Sequence, residues 1–361
     1  MKGSVYKPSF IFWSRLISIA ISPIYIFYNL FRRDSKIKNL NQSSILVSEY
    51  HRIGDVLLIE PVLRSLKKTF PQSNLTLICN PLVNDLAKEL QLADEIITFQ
   101  APWTNWEWSP RKWAQARTFA KSLQNKKIDI AIDFKGDLRN SWFIWHLKAK
   151  KSLGFTKTGG SYFYTNPQDF PDDLHQQKRA MELVATLGCK QITQNEKVNY
   201  NPSGSIVLHN GATDLRRSWP DEYWLDLIKL FSKDERVTMV KTKETIPLIT
   251  LVRESDLEVD VYEGDLISFS NWLKKQKMFI GPDSMGGHLA ARNNLPVVSL
   301  FGSQDPGMTA PIGEWVSIIQ PETLCTHRET HWRLCHSCMK SIRPKVVYDN
   351  AKNLINKLNN K

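Results

Sequence analysis

Residues 279–306 read FIGPDSMGGHLAARNNLPVVSLFGSQDP, and this stretch decides the fold. A short apolar run ends at 281–282, a glycine-rich turn follows, and an amphipathic stretch at 288–293 leads to a second apolar run at 297–301. This order predicts a strand, a helix and a second, parallel strand. Glycine lets the backbone approach a ligand, and unpaired N–H groups at a helix start suit phosphate. The stretch matches neither G-x-G-x-x-G nor a P-loop.

The same alternation fills both halves of the chain and predicts two α/β lobes of parallel sheet and covering helices. A polar linker at 199–205 separates the halves, and ligands of such folds bind at the carboxyl ends of strands. The predicted strands cover 45–48, 75–79, 95–99, 128–134, 206–209, 237–241, 278–280 and 297–301. The predicted helices cover 55–70, 83–90, 113–123, 223–231, 288–293 and 350–358. We therefore divide the chain into 1–42, 43–201, 202–344 and 345–361.

Composition restricts the class of protein. The chain has 361 residues, of which 42% are hydrophobic and 23% charged, which excludes a disordered, collagen-like or polytopic membrane protein. Five cysteines are too few for a disulfide framework, so we expect a reducing compartment. The net charge of +12 predicts an anionic partner, which could be nucleic acid, a phosphorylated small molecule or a membrane surface.

Half of that charge lies in the first 42 residues, which hold seven basic side chains and one acid. Between them runs the mainly apolar segment 10–31, which Arg15 and Pro23 interrupt, leaving 16 residues (16–31) on the longer side. A spanning helix needs roughly 20. One interpretation is an interfacial anchor through residues 9–38, and the alternative is a helix packed on the protein's own surface. We favour membrane contact, because the flanking basic cluster has no purpose in a core helix. A single span is a third option.

Two further motifs follow predicted strands. In SEYHRIGDVLLIEPVLRSLKKTFP (48–71), Gly54 and Asp55 stand at a helix start, where Asp55 alone would be read as a helix N-cap. In LHNGATDLRRSWP (208–220), small and hydroxyl residues precede Arg216 and Arg217. Backbone N–H groups and guanidinium forks bind a diphosphate, although an ordinary basic loop fits the second motif equally well.

In this order and at these separations, the three motifs make the chain resemble glycosyltransferase family 9, the ADP-heptose:lipopolysaccharide heptosyltransferase family. The resemblance spans residues 45–344 and rests on RIGDV…P-x-L-R-x-L-K-x-x-F-P, GA-T…R-x-WP and GPDS…HLAA…P-x-V-x-LFG-x-x-DP. It implies an α/β GT-B fold, with two Rossmann-like lobes and a ligand cleft between them. It also implies an inverting enzyme that needs no metal cofactor.

The resemblance implies a role for each matching residue. Asp55 would be the catalytic base that takes a proton from the acceptor hydroxyl. The residues implied in acceptor binding are Arg52, Gly54, Arg64, Lys67, Lys135 and Arg139. Those implied in donor binding are Thr213, Arg216, Arg217, Glu244, Asp283, Ser284, Met285, Gly286, Gly287 and His288. Arg216 and Arg217 are rivals for one role, and Glu244 lacks the glycine-rich turn that is usual before the ribose-binding acid.

The tail CTHRETHWRLCHSCMKSI (325–342) is rich in cysteine and histidine. Cys335 and Cys338 have the spacing of a zinc ligand pair, but Cys325 stands alone and a second close pair is missing. Relatives in the family carry cysteines here as well, so we interpret the tail as mainly structural and expect no cofactor.

The function that these observations favour is transfer of heptose, or a related sugar, from a nucleotide-sugar such as ADP-heptose to a lipid-linked glycan such as a lipopolysaccharide core. The alternatives are another nucleotide-sugar in capsule or O-antigen assembly, or a non-catalytic glycan-binding relative. Nucleic-acid binding is disfavoured because no RNP, KH, zinc-finger or helix-turn-helix signature is present. We expect a cytoplasmic protein attached peripherally to the inner face of the bacterial inner membrane.

Overall fold

A computed structural model describes residues 6–31, 37–105, 109–192, 197–211, 214–323, 325 and 335–360. The chain divides into two compact units, here called the N-terminal unit (Tyr6–Thr193) and the C-terminal unit (Gln194–Lys361). Both the apolar segment near the N-terminus and the C-terminal helix belong to these units rather than standing apart from them.

The described part of the N-terminal unit contains a six-stranded parallel sheet in the order β3-β2-β1-β4-β5-β6. The central strand β1 (Ser44–Glu49) is buried on both faces. Its sequence therefore has consecutive apolar residues at 45–47 instead of an alternating pattern. The strands are β1 (Ser44–Glu49), β2 (Asn74–Cys79), β3 (Glu95–Thr98), β4 (Ile130–Asp133), β5 (Lys151–Phe155) and β6 (Asn166–Gln168).

Helices cover this sheet on both faces. On one face, α2 (Ile53–Thr69) and α6 (Gln176–Ala185) pack with Val47 and Ile132. On the other face, Phe143 and Trp103 belong to an aromatic cluster. The helices are α1 (Pro8–Leu30), α2 (Ile53–Thr69), α3 (Asn84–Glu89), α4 (Pro110–Ser122), α5 (Leu138–His146) and α6 (Gln176–Ala185).

The C-terminal unit repeats the arrangement with a sheet in the order β12-β11-β10-β7-β8-β9, all parallel among the described strands. Its strands are β7 (Ile206–Leu208), β8 (Val237–Val240), β9 (Asp260–Tyr262), β10 (Met278–Pro282), β11 (Val297–Leu300) and β12 (Val316–Ile319). Its helices are α7 (Asp221–Phe231), α8 (Ile246–Glu254), α9 (Leu266–Leu273), α10 (Met285–Arg292), α11 (Pro306–Thr309), α12 (His336–Lys340) and α13 (Pro344–Asn359).

Three predicted helices begin at least three residues earlier in the structure. The helix predicted at 113–123 begins at Pro110. The helix predicted at 288–293 begins earlier, at Met285, so Gly286 and Gly287 form its first turn instead of preceding it. Position 286 needs glycine, because a Cβ there would lie only 2.7 Å from the Phe279 ring. The helix predicted at 350–358 begins at Pro344, whose fixed φ suits a first helical position.

The N-terminal apolar segment forms one continuous helix, α1, which runs through Arg15 and Pro23. Proline lacks the N–H that would reach the Ile19 carbonyl, and the Ser22 hydroxyl donates to that oxygen instead, at 2.9 Å. With 23 residues and a mean hydropathy of 1.7 over its most apolar 18-residue window, α1 is long and apolar enough to cross a membrane by length and composition.

Polar side chains attach α1 to the N-terminal unit. Ser18 Oγ accepts from the Gly160 backbone N–H at 2.9 Å, and Asn29 Nδ2 donates to the Tyr162 carbonyl at 2.6 Å. The Trp145 indole donates to Asn29 Oδ1 at 2.9 Å. Gly159, at φ +101°, lies so close to the helix that a Cβ there would be 2.6 Å from Ser18 Cβ. The helix α1 is therefore closely packed and hydrogen-bonded on the surface of the N-terminal unit.

Candidate functional site

Asp55 lies just beyond the carboxyl end of β1, in the first turn of α2. It is not the N-cap residue, because that position belongs to Arg52. The Arg52 backbone N–H donates to Asp55 Oδ2 at 3.1 Å, a contact that holds the carboxylate at the end of the helix. A negative charge is also stabilised there by the helix dipole.

The other oxygen of Asp55 is held by residues from distant parts of the chain. Lys135 Nζ, which follows β4, donates to Oδ1 at 2.8 Å, and Gln176 Nε2, the first residue of α6, donates at 2.8 Å. Lys135 also lies 3.1 Å from Glu49 Oε2, and His51 Nδ1 lies 3.1 Å from Glu49 Oε1. The structure thus brings the predicted Asp55 and Lys135 together and adds Glu49, His51 and Gln176.

These contacts keep Asp55 ionised. Burial would raise the pKa of its carboxyl, but the charges of Lys135 and His51 and the hydrogen bonds from Lys135 and Gln176 outweigh burial, and the pKa falls well below its ordinary value. Burial likewise would lower the pKa of Lys135, whereas Asp55 and Glu49 raise it. The Asp55 side chain is 20% exposed, so an incoming hydroxyl group has access to a permanent carboxylate.

A second carboxyl, Asp133, ends β4 and has the opposite character. It is fully buried, and Oδ2 accepts from the Tyr164 hydroxyl at 2.8 Å while Oδ1 accepts from Asn140 Nδ2 at 3.1 Å. Burial raises the pKa of Asp133 to about 6, and the charge of Glu49 adds to this effect. Asp133 is therefore a structural member of the strand end, enclosed with Tyr164 and Asn140.

The remaining predicted acceptor residues lie at different distances from Asp55. Gly54 and the exposed Arg52 share the first turn of α2 with Asp55, and Arg139 forms a bidentate pair with Asp137 at 2.8 and 2.5 Å beyond β4. Arg64 pairs with Glu60 and lies about 14 Å along the helix from Asp55, at 1.5 Å per residue.

Lys67 lies at the other edge of the sheet from Asp55. Its Nζ donates to the Ser73 carbonyl at 2.8 Å and to Asp94 Oδ2 at 2.7 Å, and both partners directly precede a strand. Strands of a parallel sheet all begin at one edge and end at the opposite edge. The structure therefore places Lys67 at the amino-terminal edge, away from the carboxyl-terminal edge that carries Asp55.

In the C-terminal unit, Asp283 and Ser284 link β10 to α10, with Ser284 as N-cap. The first N–H groups of α10 have no partner within the helix and can bind an anion. Arg217 reaches the same place from the loop after β7, with Nη1 3.6 Å from Asp283 Oδ2. Two predicted donor-binding segments are thus brought together at the carboxyl ends of β7 and β10.

The contacts distinguish the two rival arginines. Arg216 is exposed and forms a bidentate pair with Asp214 at 2.8 and 2.5 Å. In contrast, Arg217 Nε is buried without a hydrogen-bond partner among the residues that the structure describes, as are Ser284 Oγ and Gln304 Nε2. Buried polar groups in this condition are costly, and a ligand removes the cost. Arg217 and Gln304 both line one pocket, and its lining residues are Arg216, Arg217, Asp283, Leu300, Gly302, Ser303, Gln304 and Met339.

His209, which directly follows β7, was not singled out from the sequence. Burial lowers its pKa to about 4, although the charge of Glu244 opposes this effect, so the ring is neutral at physiological pH. Its Nδ1 has no partner in the described part of the chain and lies 3.3 Å from where a Cβ of Gly286 would stand. Glu244 itself is exposed, in a short turn after β8.

The other predicted residues of this unit have these positions. Met285, Gly286, Gly287 and His288 form the first turns of α10, with His288 buried. Thr213 lies outside the described residues. Cys325, Cys335 and Cys338 come together, with their sulfur atoms within 4.8 Å of one another.

The sequence profile of "Glycosyltransferase family 9 (heptosyltransferase)" matches residues 116–333, which is more than half of the chain. The chain belongs to glycosyltransferase family 9. This membership makes it a glycosyltransferase. The matched range contains Lys135, Arg139 and the donor-side segments of the C-terminal unit, whereas Asp55 precedes it.

Curated relatives in glycosyltransferase family 9 share about a fifth of their residues with this chain. Lipopolysaccharide heptosyltransferase 1 of Pseudomonas aeruginosa is 21% identical over 229 residues, which cover 58% of this chain and 64% of that protein. Lipooligosaccharide heptosyltransferase 2 of Campylobacter jejuni is 22% identical over 319 residues, covering 84% of this chain and 95% of that protein.

Solved structures place this family member in the GT-B fold class. The structure of Escherichia coli heptosyltransferase WaaC with ADP matches with a TM-score of 0.69 and 18% identity, and the match covers 86% of this chain and 99% of that one. The predicted fold, two Rossmann-like α/β lobes, is confirmed.

Proposed function

We propose that this chain transfers heptose from a nucleotide-sugar, with ADP-heptose as donor, to the core of a lipopolysaccharide. Family membership supports heptose transfer, and the Pseudomonas and Campylobacter relatives are named for lipopolysaccharide and lipooligosaccharide acceptors. The observation that carries the proposal is the Asp55 carboxylate, which is ionised, partly exposed and held at the carboxyl end of β1 by Lys135 and Gln176.

The proposed reaction needs a base because a sugar hydroxyl is a poor nucleophile. The acceptor oxygen attacks the anomeric carbon of heptose, the bond from that carbon to the ADP oxygen breaks, and Asp55 takes the hydroxyl proton. The configuration at the anomeric carbon inverts. In this proposal Lys135 and Arg139 bind acidic groups of the acceptor. In the structure Lys135 pairs with Asp55, and Arg139 pairs with Asp137.

The C-terminal unit supplies the donor side of the proposal. When ADP leaves, negative charge grows on its diphosphate, and preorganised cations and N–H groups stabilise such charge. Arg217 Nε, Ser284 Oγ and the first turn of α10 are donors of this kind. Their lack of partners among the described residues fits a site that an anion completes.

The test is the substitution Asp55→Asn, which removes the base and keeps the size of the side chain. We expect ADP release from ADP-heptose with a lipopolysaccharide-core acceptor to fall by about 10²- to 10⁴-fold, the usual contribution of a general base. Binding of ADP should stay unchanged, because Asp55 belongs to the N-terminal unit and the residues proposed to bind ADP belong to the C-terminal unit.

Asp85→Asn is the matched control, since Asp85 is an exposed carboxylate on α3 that bonds to its neighbour Asn84. Full activity in Asp55→Asn would reject the assigned base. A Tm measurement tests the proposed donor. If UDP- or GDP-sugars raise the Tm and ADP-heptose does not, the proposed donor is rejected.

We further propose that α1 lies in the surface of the cytoplasmic leaflet of the inner membrane. Its contacts from Ser18 to Asn29 attach it to the N-terminal unit, so it is not available to cross a bilayer while that unit stays folded. Its other face is apolar and open, and its large side chains are 42–75% exposed: Phe12, Trp13, Leu16, Ile17, Ile19, Ile24, Ile26, Phe27, Tyr28, Leu30 and Phe31.

This exposed stripe has the composition of an interfacial helix. Aromatic and branched apolar residues suit the boundary between headgroups and acyl chains, and the sequence on either side is rich in lysine and arginine. A contiguous apolar surface of this length is unusual on a soluble monomer. A lipid-linked acceptor would then be reached from the same surface.

The variant Trp13→Ser/Ile17→Ser/Ile24→Ser tests the attachment, because these three side chains share one side of the helix and each is at least half exposed. Flotation with phosphatidylglycerol-containing vesicles should show binding by the wild type and a loss of at least about tenfold in the variant. The control Leu82→Ser/Ile312→Ser/Val346→Ser removes exposed apolar residues elsewhere and should bind like the wild type. Equal binding by both variants would contradict the proposal.

A further inference from the structure

The thiols of Cys325, Cys335 and Cys338 form a cluster that the proposed reaction does not use. Their sulfur atoms all lie within 4.8 Å of one another. Around a tetrahedral zinc ion, Zn–S bonds of about 2.3 Å place the sulfurs about 3.8 Å apart. The described arrangement is therefore close to the one that a single cation would impose.

Local structure explains how the cluster is assembled. Cys335 is the N-cap residue of α12 and Cys338 lies in its first turn, so the two face the same point. Cys325 is brought to them from the segment that follows β12. All five cysteines, each in the described part of the chain, are thiols and none forms a disulfide.

Packing alone does not account for three thiols in one place. The other two cysteines, Cys79 and Cys189, are buried among aliphatic side chains of the N-terminal unit, where a thiol behaves as a small apolar group. In the cluster, by contrast, Cys325 and Cys335 are only partly buried and face other sulfur atoms. Grouped thiols at this spacing are typical of a metal site.

We propose that Cys325, Cys335 and Cys338 bind one thiolate-seeking divalent cation, with zinc as the expected ion. Thiolate ligands select zinc or iron over magnesium and calcium, and binding releases the thiol protons. The proposal rests on these three described thiols and assigns no fourth ligand. The cation would have a structural role, separate from the proposed transfer reaction.

The position of α12 connects the proposed cation site to the pocket that Arg217 lines. The Cys335 N–H donates to Ser303 Oγ at 2.9 Å, and Met339 packs so closely on Gly302 that a Cβ there would lie 2.8 Å from its sulfur. Ser303, Gly302 and Met339 all line the pocket that holds Arg217. A cation would thus fix one wall of the pocket, and its loss should weaken ADP binding. This last step rests on the proposed function.

Metal analysis of the full-length, reduced protein tests the site directly. We expect about one zinc per chain in the wild type, retained through desalting, and loss of zinc in Cys335→Ser and Cys338→Ser. Cys335→His should keep the ion, because imidazole is also a zinc ligand. Cys79→Ala and Cys189→Ala are the matched controls and should keep it as well, since both thiols lie outside the cluster.

Cobalt substitution keeps the proposal testable if the serine variants do not fold. After chelation, Co²⁺ added to the wild type should produce thiolate-to-cobalt charge-transfer bands and the strong visible bands of tetrahedral cobalt. No zinc or iron in the wild type together with no cobalt spectrum would overturn the site, as would unchanged metal content in the serine variants. If the wild type contains one iron per chain and the serine variants lose it, the site is supported and its ion is iron instead of zinc.

ADP binding separates this inference from the proposed function. If the wild type binds metal but not ADP, the metal site stands and the proposed donor fails. If the wild type binds ADP and the metal-free protein binds it equally well, the site stands but its role at the pocket wall is rejected.

Discussion

Two carboxyl groups at neighbouring strand ends show how single residues acquire different chemistry from their contacts. Asp55 is partly exposed and paired with Lys135, so its pKa is low. Asp133 is enclosed with Tyr164 and Asn140, so burial raises its pKa to about 6. Of the two, Asp55 is the one that is both ionised and partly exposed, as the proposed catalytic base requires.

The substitution Lys135→Met should move the pH dependence of catalysis. The lysine charge lowers the pKa of Asp55, so in the wild type the carboxylate stays ionised far into acid. Without that charge, burial raises the pKa, and the acid limb of kcat/KM should shift to higher pH by at least about one unit.

Lys150→Met is the control for this profile, because Lys150 pairs with Asp129 instead of Asp55. An unchanged acid limb in Lys135→Met, with only KM raised, would mean that the lysine binds the acceptor without controlling the charge of the base.

Individual elements determine which residues reach each site. Both sheets have the same topology, in which the strand order reverses between β1 and β4 in the first sheet and between β7 and β10 in the second. A crevice forms at such a reversal, outside the carboxyl ends of the strands. The segments that carry Asp55 and Lys135 meet at the first reversal, and those that carry Arg217 and Asp283 meet at the second.

The sequence predicts these strand ends well but not the partners that side chains find there. Apolar runs and glycine turns locate β1, β10 and the loops after them, because burial and backbone freedom act locally. Gln176 was missed since α6 begins after His175, which is not among the common N-cap residues. The hydrogen bond from Gln176 to Asp55 depends on tertiary packing, and no local pattern encodes it.

The short turn 215–217 decides between the two adjacent arginines. It directs Arg216 to Asp214 and Arg217 to the pocket beside Asp283. We therefore expect Arg217→Ala to weaken ADP binding by about 10- to 100-fold in calorimetry, the range of charge-assisted hydrogen bonds. Arg216→Ala should change the affinity by less than about threefold. The reverse order of effects would show that the described register is not the one that binds ADP.

At the scale of the whole molecule, the net charge of +12 acts together with α1. The first 42 residues of the sequence contain seven basic residues, so in the proposed membrane contact attraction to an anionic surface would add to apolar insertion.

Raising the salt concentration should separate these two contributions. The range of charge interactions falls from about 8 Å at 0.15 M salt to about 3 Å at 1 M. We expect vesicle binding to weaken with salt but to persist at 1 M, because the apolar contact is not screened. Neutral phosphatidylcholine vesicles should bind at the level of the high-salt sample. Complete release of the wild type by salt would show that the stripe does not enter the lipid.

Gly159 links the attachment of α1 to a position far from it in the sequence. Its backbone at φ +101° and its proximity to Ser18 leave no room for a side chain. Ser18 and Gly159 are therefore constrained as a pair, since a larger residue at either position requires a shifted backbone at the other. A change on the packed side of α1 thus affects the N-terminal unit itself, whereas a change on its exposed apolar side leaves this contact intact.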